Sequence, residues 1–129
     1  MPMLFTPAQT AAARQTLGAD RTLSVGLYVV LDEDAAQARS TARRPLSFLT
    51  TMAGYRRSLI RQGFSSFDID SLSDHLVDAL VAWGNPRRIV DHAERLHAAG
   101  ADHVHMTVLG SSRQPTGVAA ARMLAAQFG

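Results

Sequence analysis

The 129-residue sequence contains neither cysteine nor lysine, and aromatic residues make up only 6% of it. Without cysteine, the chain forms no disulfide, no thiolate zinc site and no cysteine nucleophile. Without lysine, catalysis through a Schiff base is excluded. No apolar run approaches the roughly 20 residues that a membrane-spanning helix needs, and the amino terminus lacks the features of a signal peptide. We therefore expect a cytoplasmic protein with no membrane partner.

All 13 basic residues are arginines, and the isoelectric point is about 9.9. A high isoelectric point is compatible with nucleic-acid binding, but a basic patch is the meaningful signal. The formal net charge is only +2, and the arginines are scattered and mostly near carboxylates. We therefore expect no nucleic-acid partner. The proportions of 47% hydrophobic and 19% charged residues are typical of a globular protein, here a single domain over residues 1–129.

Capping signals and apolar periodicity predict helices along most of the chain. Thr6, Pro7 and Gln9 form a capping-box pattern with proline at the first helical position. Asn85 and Pro86 begin another helix in a similar way. The predicted helices cover residues 6–18, 32–43, 45–62, 71–84, 85–100 and 116–128. Asp34 or Asp32 caps the second of them and Ser71 or Ser73 the fourth, whereas the polar segment 63–74 reads as a loop up to that cap.

Two segments have the composition of buried strands. Residues 23–31 are nearly continuous in apolar residues, as in parallel sheets that are covered on both faces. Residues 101–109 form the second predicted strand, and residues 80–84 are either the end of a helix or a short strand. Gly26 marks either a bulge or a close approach of another segment. Strands that alternate with helices predict an α/β fold with a parallel sheet.

Several segments together resemble the luciferase-like monooxygenase superfamily, and in particular its coenzyme F420-dependent oxidoreductase branch, which is common in actinobacteria. The resemblance extends from about Pro7 to Leu109 and departs from close relatives at "LTTMAGYRRS". The segments that carry it are "TPAQTAAARQTLG", "VVLDEDAAQARSTAR", "YRRSLIRQGF" and "HLVDALVAWGNPRRIVDHAERLHAAGADHVHMTVL".

The resemblance implies a partial (β/α)₈ barrel, since a full barrel takes about 250 residues. The chain would be its C-terminal half, with about three parallel strands, namely strands six, seven and eight, and flanking helices. The family transfers hydride to or from coenzyme F420 or FMN, and most of the cofactor site would lie in the missing N-terminal half. This chain would then supply the substrate side of the pocket for a small-molecule substrate. On the last strand, His103, His105 and Thr107 would face the barrel interior.

Active-site residues of a barrel come from the carboxyl ends of its strands, and this rule selects candidates for substrate or phosphate binding. Asp32 follows the first predicted strand, although it also suits helix capping. Gly84 and Asn85 precede a helix amino terminus, where free N–H groups attract anions but where capping is the simpler explanation. The other candidates are Thr107, Gly110, Ser111, Ser112 and Arg113 at the last strand and its loop, and Tyr55 and Arg56 where the family's insertion covers the pocket.

The histidines do not predict a metal site. His92 and His97 are five residues apart, which does not match the i, i+4 spacing of a helical zinc site. His103 and His105 share a strand face but have no third ligand nearby in the sequence. The sequence assigns no catalytic residue.

Two alternatives to the oxidoreductase reading remain open. A half-barrel exposes strand edges, so the chain is alternatively a non-catalytic interaction or assembly protein that self-associates or pairs with a partner. A third option is a small-ligand binder that uses the loop "GSSR" at residues 110–113.

Overall fold

The computed structural model describes residues 2–111 and 114–127, which form a three-stranded parallel sheet with helices on both faces. Among the described residues, no helix has the length and apolar character needed to cross a membrane. The elements are α1 (Pro7–Leu17), β1 (Ser24–Val30), α2 (Ala35–Leu49), α3 (Ala53–Arg61), α4 (Ser66–Ser71), α5 (Asp74–Leu80), β2 (Val81–Trp83), α6 (Pro86–Ala98), β3 (His103–Leu109) and α7 (Gly117–Ala125).

The strand order is β2-β1-β3, with both neighbours parallel to the central strand β1. The chain steps from β1 to β2 in one direction and then crosses β1 to reach β3 in the other. Crossovers of the same hand that step in opposite directions place their helices on opposite faces. Accordingly, helices α2–α5 pack on the face that carries Val30, and α6 packs with α1 and α7 on the face that carries Val25, Leu27 and Val29.

This strand order differs from that of consecutive barrel strands. In a barrel, strands six, seven and eight would lie side by side in chain order, with the seventh in the middle. Here β1 lies in the middle, and β2 and β3 are on opposite sides of it. The parallel α/β arrangement is therefore confirmed, whereas the barrel is not. The pairing of β1 with β2 is common to the two arrangements. The place of β3 differs, and so does that of α6, which would lie on the same outer face as α2–α5 in a barrel but packs on the opposite face here.

Most helices begin where the capping signals predict. The side chains of Thr6, Asp34, Ser73 and Asn85 each accept a hydrogen bond from the backbone N–H three residues later. These bonds satisfy amide groups that a helix amino terminus otherwise leaves without a partner. The short strand Val81–Trp83 confirms the second of the two interpretations of residues 80–84.

The segment between residues 32 and 74 differs from the prediction. Helix α2 runs continuously through Pro45 to Leu49, where a new helix was expected to begin. The segment 63–74, expected to be a loop, contains α4, which Ser65 and Asp68 start with a reciprocal capping box. Tertiary packing explains both differences, because Leu46 beside the proline and Ile69 of α4 are both buried in the core on this face of the sheet.

Gly26 marks a close approach and not a bulge. The register between β1 and β3 is continuous from Ser24 to Val30. A Cβ atom at Gly26 would clash with the sulfur of Met3. The Gly26 amide donates a 2.8 Å hydrogen bond to the carbonyl of Pro2. The amino-terminal segment therefore bonds to the first part of β1, before the residues of β1 that pair with β2.

Strand β3 is covered along one face, and on its other face Leu109, at the carboxyl end, is partly buried. Val104, Met106 and Val108 pack into the core with α6 and α7, as expected. The other face carries His103 and His105, and like Thr107 they are exposed. The expectation that these three side chains point into an enclosed interior is therefore not met in this structure.

Arg14 of α1 anchors the start of β3. Its guanidinium donates to the carbonyls of Gly18, Arg21 and Gly100 and to the carboxylate of Asp102. The Asp102 carboxylate also accepts a 2.7 Å hydrogen bond from the Leu23 amide. These bonds hold the pKa of Asp102 below its usual range. The bond from the Leu23 amide has the larger effect, and the bond from Arg14 has the next largest. Asp102 therefore joins the starts of β1 and β3 and has a structural role.

His92 of α6 is 6% exposed, and burial, with a smaller contribution from Arg95, lowers its pKa from 6.5 to about 4. Because the folded-state pKa is depressed, this contribution to stability is present above the unfolded-state pKa of about 6.5 and is lost as the pH falls toward 4. At about 1.4 kcal/mol per pKa unit, we expect the free energy of unfolding to fall by about 3 kcal/mol over this range. Urea unfolding between pH 7 and pH 4 measures it.

The variant His92→Gln should lose the part of this dependence that lies between pH 6.5 and pH 5, where most carboxylates remain ionised. The exposed His105 provides the matched control, so His105→Gln should retain the dependence. An unchanged pH profile in His92→Gln would contradict the assignment.

The strand order can be tested by disulfide cross-linking, because the chain has no cysteine of its own. Tyr28 of β1 is in register with Val81 of β2 on one side and with Thr107 of β3 on the other. Neighbouring strands are about 4.8 Å apart, within the Cα separation that a disulfide spans. We expect Tyr28→Cys with Thr107→Cys to cross-link on mild oxidation, as judged by a mobility shift that reductant reverses.

The control pair is Val81→Cys with Thr107→Cys, whose positions are two strand spacings apart, roughly 10 Å. This pair should not cross-link in the observed order. Efficient cross-linking of the control pair, without that of the first pair, would show that β3 lies beside β2.

Candidate functional site

The carboxyl ends of β1 and β2 open into a cleft of about 310 Å³. Three predicted site residues, Asp32, Gly84 and Asn85, line it together. We call it the strand-end cleft, and its remaining lining residues are Leu31, Glu33, Gln37, Pro86 and Met123. Both barrels and open parallel sheets bind ligands outside the carboxyl ends of their strands.

Asp32 is held in place by two hydrogen bonds at the mouth of β1. Its Oδ1 accepts a 2.8 Å bond from the Asp34 amide, and its Oδ2 accepts a 2.9 Å bond from Nε2 of Gln114. Asp34, and not Asp32, caps helix α2. The carboxylate of Asp32 is therefore oriented from two sides and keeps further lone pairs to accept hydrogen bonds from a ligand.

Gly84 and Asn85 connect β2 to helix α6. Gly84 has a φ of 128° and donates a 3.2 Å hydrogen bond to the carbonyl of Val30, which extends the pairing of β1 and β2 to their ends. Its positive φ favours glycine. Asn85 caps α6 with a 2.9 Å bond from the Arg88 amide and donates a 3.3 Å bond to Glu33. The side-chain oxygen of Asn85 is thus used in capping, and the side-chain nitrogen of Asn85 is hydrogen-bonded to Glu33.

Gln114 is a site residue that the sequence reasoning missed. It is 7% exposed, and its Oε1 accepts bonds from the Thr41 hydroxyl at 3.0 Å and the Ser111 amide at 2.9 Å. Its Nε2 donates to Asp32. One side-chain amide therefore connects the loop after β1, the loop after β3 and helix α2. A lone glutamine in a polar loop carries no sequence signal for such a role, because the three partners are 3, 73 and 82 residues away.

The loop after β3 lies near this network only in part. Ser111 lines a second cavity of about 390 Å³ together with Gln114, whereas Gly110 lies close to Thr116 and Gln114. The predicted site residues Ser112 and Arg113 lie outside the described residues. Thr107 is exposed on β3 in register with Tyr28, two residues before the carboxyl end of the strand.

Tyr55 and Arg56 are not part of the strand-end cleft. Tyr55 lines a separate cavity of about 410 Å³ that also contains Pro2 and Met3. Burial and the nearby Tyr55 raise the pKa of Tyr28. Arg56 pairs with Asp70 at 2.8 Å and thereby links α3 to α4. The structure thus gives Arg56 a structural contact and places Tyr55 at a different cavity.

An aromatic and ionic cluster flanks the end of β2. The indole nitrogen of Trp83 donates a 2.8 Å bond to Asp78, and the guanidinium carbons of Arg39 and Arg88 lie 5.3 Å and 4.5 Å from the indole ring centroid. Burial alone would raise the pKa of Asp78, but the hydrogen bonds from Arg39 and Trp83 outweigh it and lower the pKa. The cluster fixes α2 and α5 against the end of the sheet.

Residues 2–111 and 114–127 contain no group of three histidine, aspartate or glutamate side chains that could hold a metal ion. His103 and His105 are neighbours, with ring centroids 6.3 Å apart, and His97 contacts the carbonyl of Ala101 through its ring nitrogen.

No protein-family model, no curated protein and no solved structure matches this chain.

Removing the side-chain amide of Gln114 should loosen the site and the fold together. Loss of a buried hydrogen-bonding group typically costs about 1–3 kcal/mol, so we expect Gln114→Ala to lower the free energy of unfolding by about that amount. Urea unfolding at pH 7 measures it. Gln127→Ala is the control, since Gln127 is exposed near the end of the described chain and should change stability by less than about 0.5 kcal/mol. Equal stability of Gln114→Ala and the wild type would contradict a central role for this amide.

Proposed function

We propose that this chain supplies the substrate side of the pocket in a luciferase-like oxidoreductase that uses coenzyme F420 or, alternatively, FMN. The sequence resemblance over residues 7–109 motivates the assignment. The structural observation that supports it best is the meeting of Asp32, Gly84 and Asn85 in one cleft at the carboxyl ends of β1 and β2. These two strands are neighbours both in this sheet and in the barrel that the resemblance implies.

The volume of the strand-end cleft is compatible with a pocket in which this chain binds the substrate and the other half of the barrel binds the cofactor. Ligand pockets have volumes of about 300–1,000 Å³, and the cleft of about 310 Å³ lies at the lower limit. It accommodates a small substrate but does not enclose a substrate and a tricyclic cofactor together. The cofactor would supply hydride transfer, and most of the residues that hold it would belong to the missing N-terminal half of the barrel.

The residues of the cleft have distinct roles in this proposal. Asp32 accepts a hydrogen bond from a hydroxyl or amine group of the substrate, with its orientation set by Gln114. Gly84 supplies the positive φ of the turn that lines the cleft, and Asn85 holds Glu33 at the rim. Glu33 and Asp32 together give this cleft a negative charge that favours neutral or cationic substrate groups.

The proposal requires a change in the places of β3 and α6, because a barrel has its helices on the outer face only and α6 here packs on the face opposite α2–α5. In the barrel, β3 would lie next to β2, and β1 would pair with the strand before it, which this chain does not contain. We therefore infer that β3 exchanges its partner when the N-terminal half of the barrel is present. Its exposed face and its outer edge, which pairs with no other described strand, are compatible with this exchange.

The test compares the chain alone with the chain co-expressed with the first five strands of a luciferase-like enzyme. We expect the complex to bind F420 or FMN in a fluorescence titration, and the isolated chain to bind either at least tenfold more weakly. In the complex, the pair Val81→Cys with Thr107→Cys should cross-link. Tight one-to-one binding of cofactor by a monomer of the isolated chain would overturn the division of the site between two halves.

In an active complex, Asp32→Asn should lower kcat/KM by about 10- to 100-fold, because a hydrogen bond to a charged group contributes about 1.5–3 kcal/mol. Asp20→Asn is the matched control, since Asp20 lies in an exposed turn before β1. Equal activities of the two variants would show that Asp32 does not contact the substrate.

A second candidate is a non-catalytic assembly protein, and the observation that favours it is the same unpaired edge of β3. Seven residues of β3 pair with β1 on one side, and the other side is available to a strand of a partner or of a second copy. Light scattering distinguishes this candidate. A concentration-dependent dimer that neither binds cofactor nor gains activity in the complex would favour it over the oxidoreductase.

A further inference from the structure

Helix α2 carries three arginines, and two of them have structural partners. Arg39 makes a two-pronged contact with Asp78 of α5, with distances of 3.0 Å and 2.7 Å. Arg43 pairs with Asp74, which also belongs to α5, at a distance of 2.6 Å. The third, Arg44, is exposed and forms no ion pair with any residue in the described ranges. Together with Ser111 and Gln114 of the loop that follows β3, it lines one cavity.

Arg44 lines a cavity of about 390 Å³ between α2 and that loop, which we call the α2 cavity. Four of its five helical residues, Gln37, Ser40, Thr41 and Arg44, lie at positions i, i+3, i+4 and i+7, which is one face of a helix. The full lining among the described residues is Ala36, Gln37, Ser40, Thr41, Arg44, Ser111 and Gln114. These residues include no carboxylate and one positive charge.

The polar groups of the α2 cavity fall into two sets. Thr41 and Gln114 are 7% exposed and bonded to each other, so they form a fixed wall. The side chains of Gln37, Ser40, Arg44 and Ser111 make no hydrogen bond to another described residue. Four exposed side chains with N–H or O–H donors thus line one open depression whose described lining offers no acidic acceptor.

We propose that the α2 cavity binds a small anion, a carboxylate or phosphate group of a ligand. A guanidinium forms paired, charge-assisted hydrogen bonds with either group, and the hydroxyls of Ser40 and Ser111 and the amide of Gln37 add neutral donors. The adjoining strand-end cleft contains Asp32 and Glu33, which repel an anion. Electrostatics therefore direct the anionic group to the α2 cavity. This inference requires no redox chemistry and does not rest on the proposed function.

The test is a titration of the full chain with inorganic phosphate and, separately, with acetate, at constant ionic strength. Amide chemical shifts in a ¹H–¹⁵N NMR spectrum report binding. We expect saturable shifts at Ser40, Arg44 and Ser111, and a loss of affinity of about tenfold or more in Arg44→Gln, since charge-assisted bonds are the strong ones. The stronger of the two probes identifies the anionic group.

Arg57→Gln is the matched control, because Arg57 is also an exposed helical arginine with no ion pair among the described residues. It should bind like the wild type, and both variants should keep the wild-type thermal unfolding midpoint. Ser40→Ala, which leaves every charge in place, should weaken binding about two- to fivefold. Equal affinities of Arg44→Gln and the wild type, non-saturable shifts, or an equal loss in Arg57→Gln would each overturn the proposal. None of these outcomes bears on cofactor binding in the co-expressed complex.

Discussion

The rest of the structure depends on the burial of β1. Val25 and Val29 are completely buried and Leu27 is 2% exposed, and they contribute roughly 1.5–3 kcal/mol each through the hydrophobic effect. A strand buried to this degree must also find partners for its backbone groups on both edges, because unpaired buried amides are costly. β3 supplies them along the whole of one edge. On the other edge, β2 supplies partners only near the carboxyl end of β1. Earlier in β1, the carbonyl of Pro2 accepts a hydrogen bond from the Gly26 amide.

The position of the candidate site follows from this arrangement. β1 ends between its two neighbours, so the loop that begins with Asp32 is close both to the Gly84–Asn85 turn and to the loop after β3. Polar groups of two of these loops and of helix α2 share one hydrogen-bonding partner. Gln114 is that partner, since its single amide donates to Asp32 and accepts from Thr41 and Ser111. The strand-end cleft and the α2 cavity lie on either side of this bridge and share Gln37.

Sequence predicted what local chemistry determines. Thr6, Asn85 and the alternation of Val104, Met106 and Val108 identify helix starts and a covered strand face because capping and periodicity act over a few residues. The helix through Pro45 escaped prediction, since burial of Leu46 outweighs the cost of a proline within a helix. The gathering of Asp32, Gly84 and Asn85 was predictable from the rule that parallel strands present their carboxyl ends at one edge. The strand order and Gln114 were not, because both depend on contacts between distant segments.

The three strands differ in how far their faces are buried and in how many of their edges are paired. β1 is fixed by two covered faces and two paired edges, and β2 contributes the buried Val81 and Ala82 to opposite faces. β3 buries Val104, Met106, Val108 and Leu109, each of them partly, while His103 and His105 are exposed. Because transfer free energy scales with the apolar area removed from water, β3 gains less from apolar burial than β1 does, and its seven backbone pairs with β1 do most to hold it in the sheet. The exchange of partners that the proposed function requires would therefore have to replace these seven pairs with pairs to β2, which has three residues in this sheet, and to strands of the other half of the barrel.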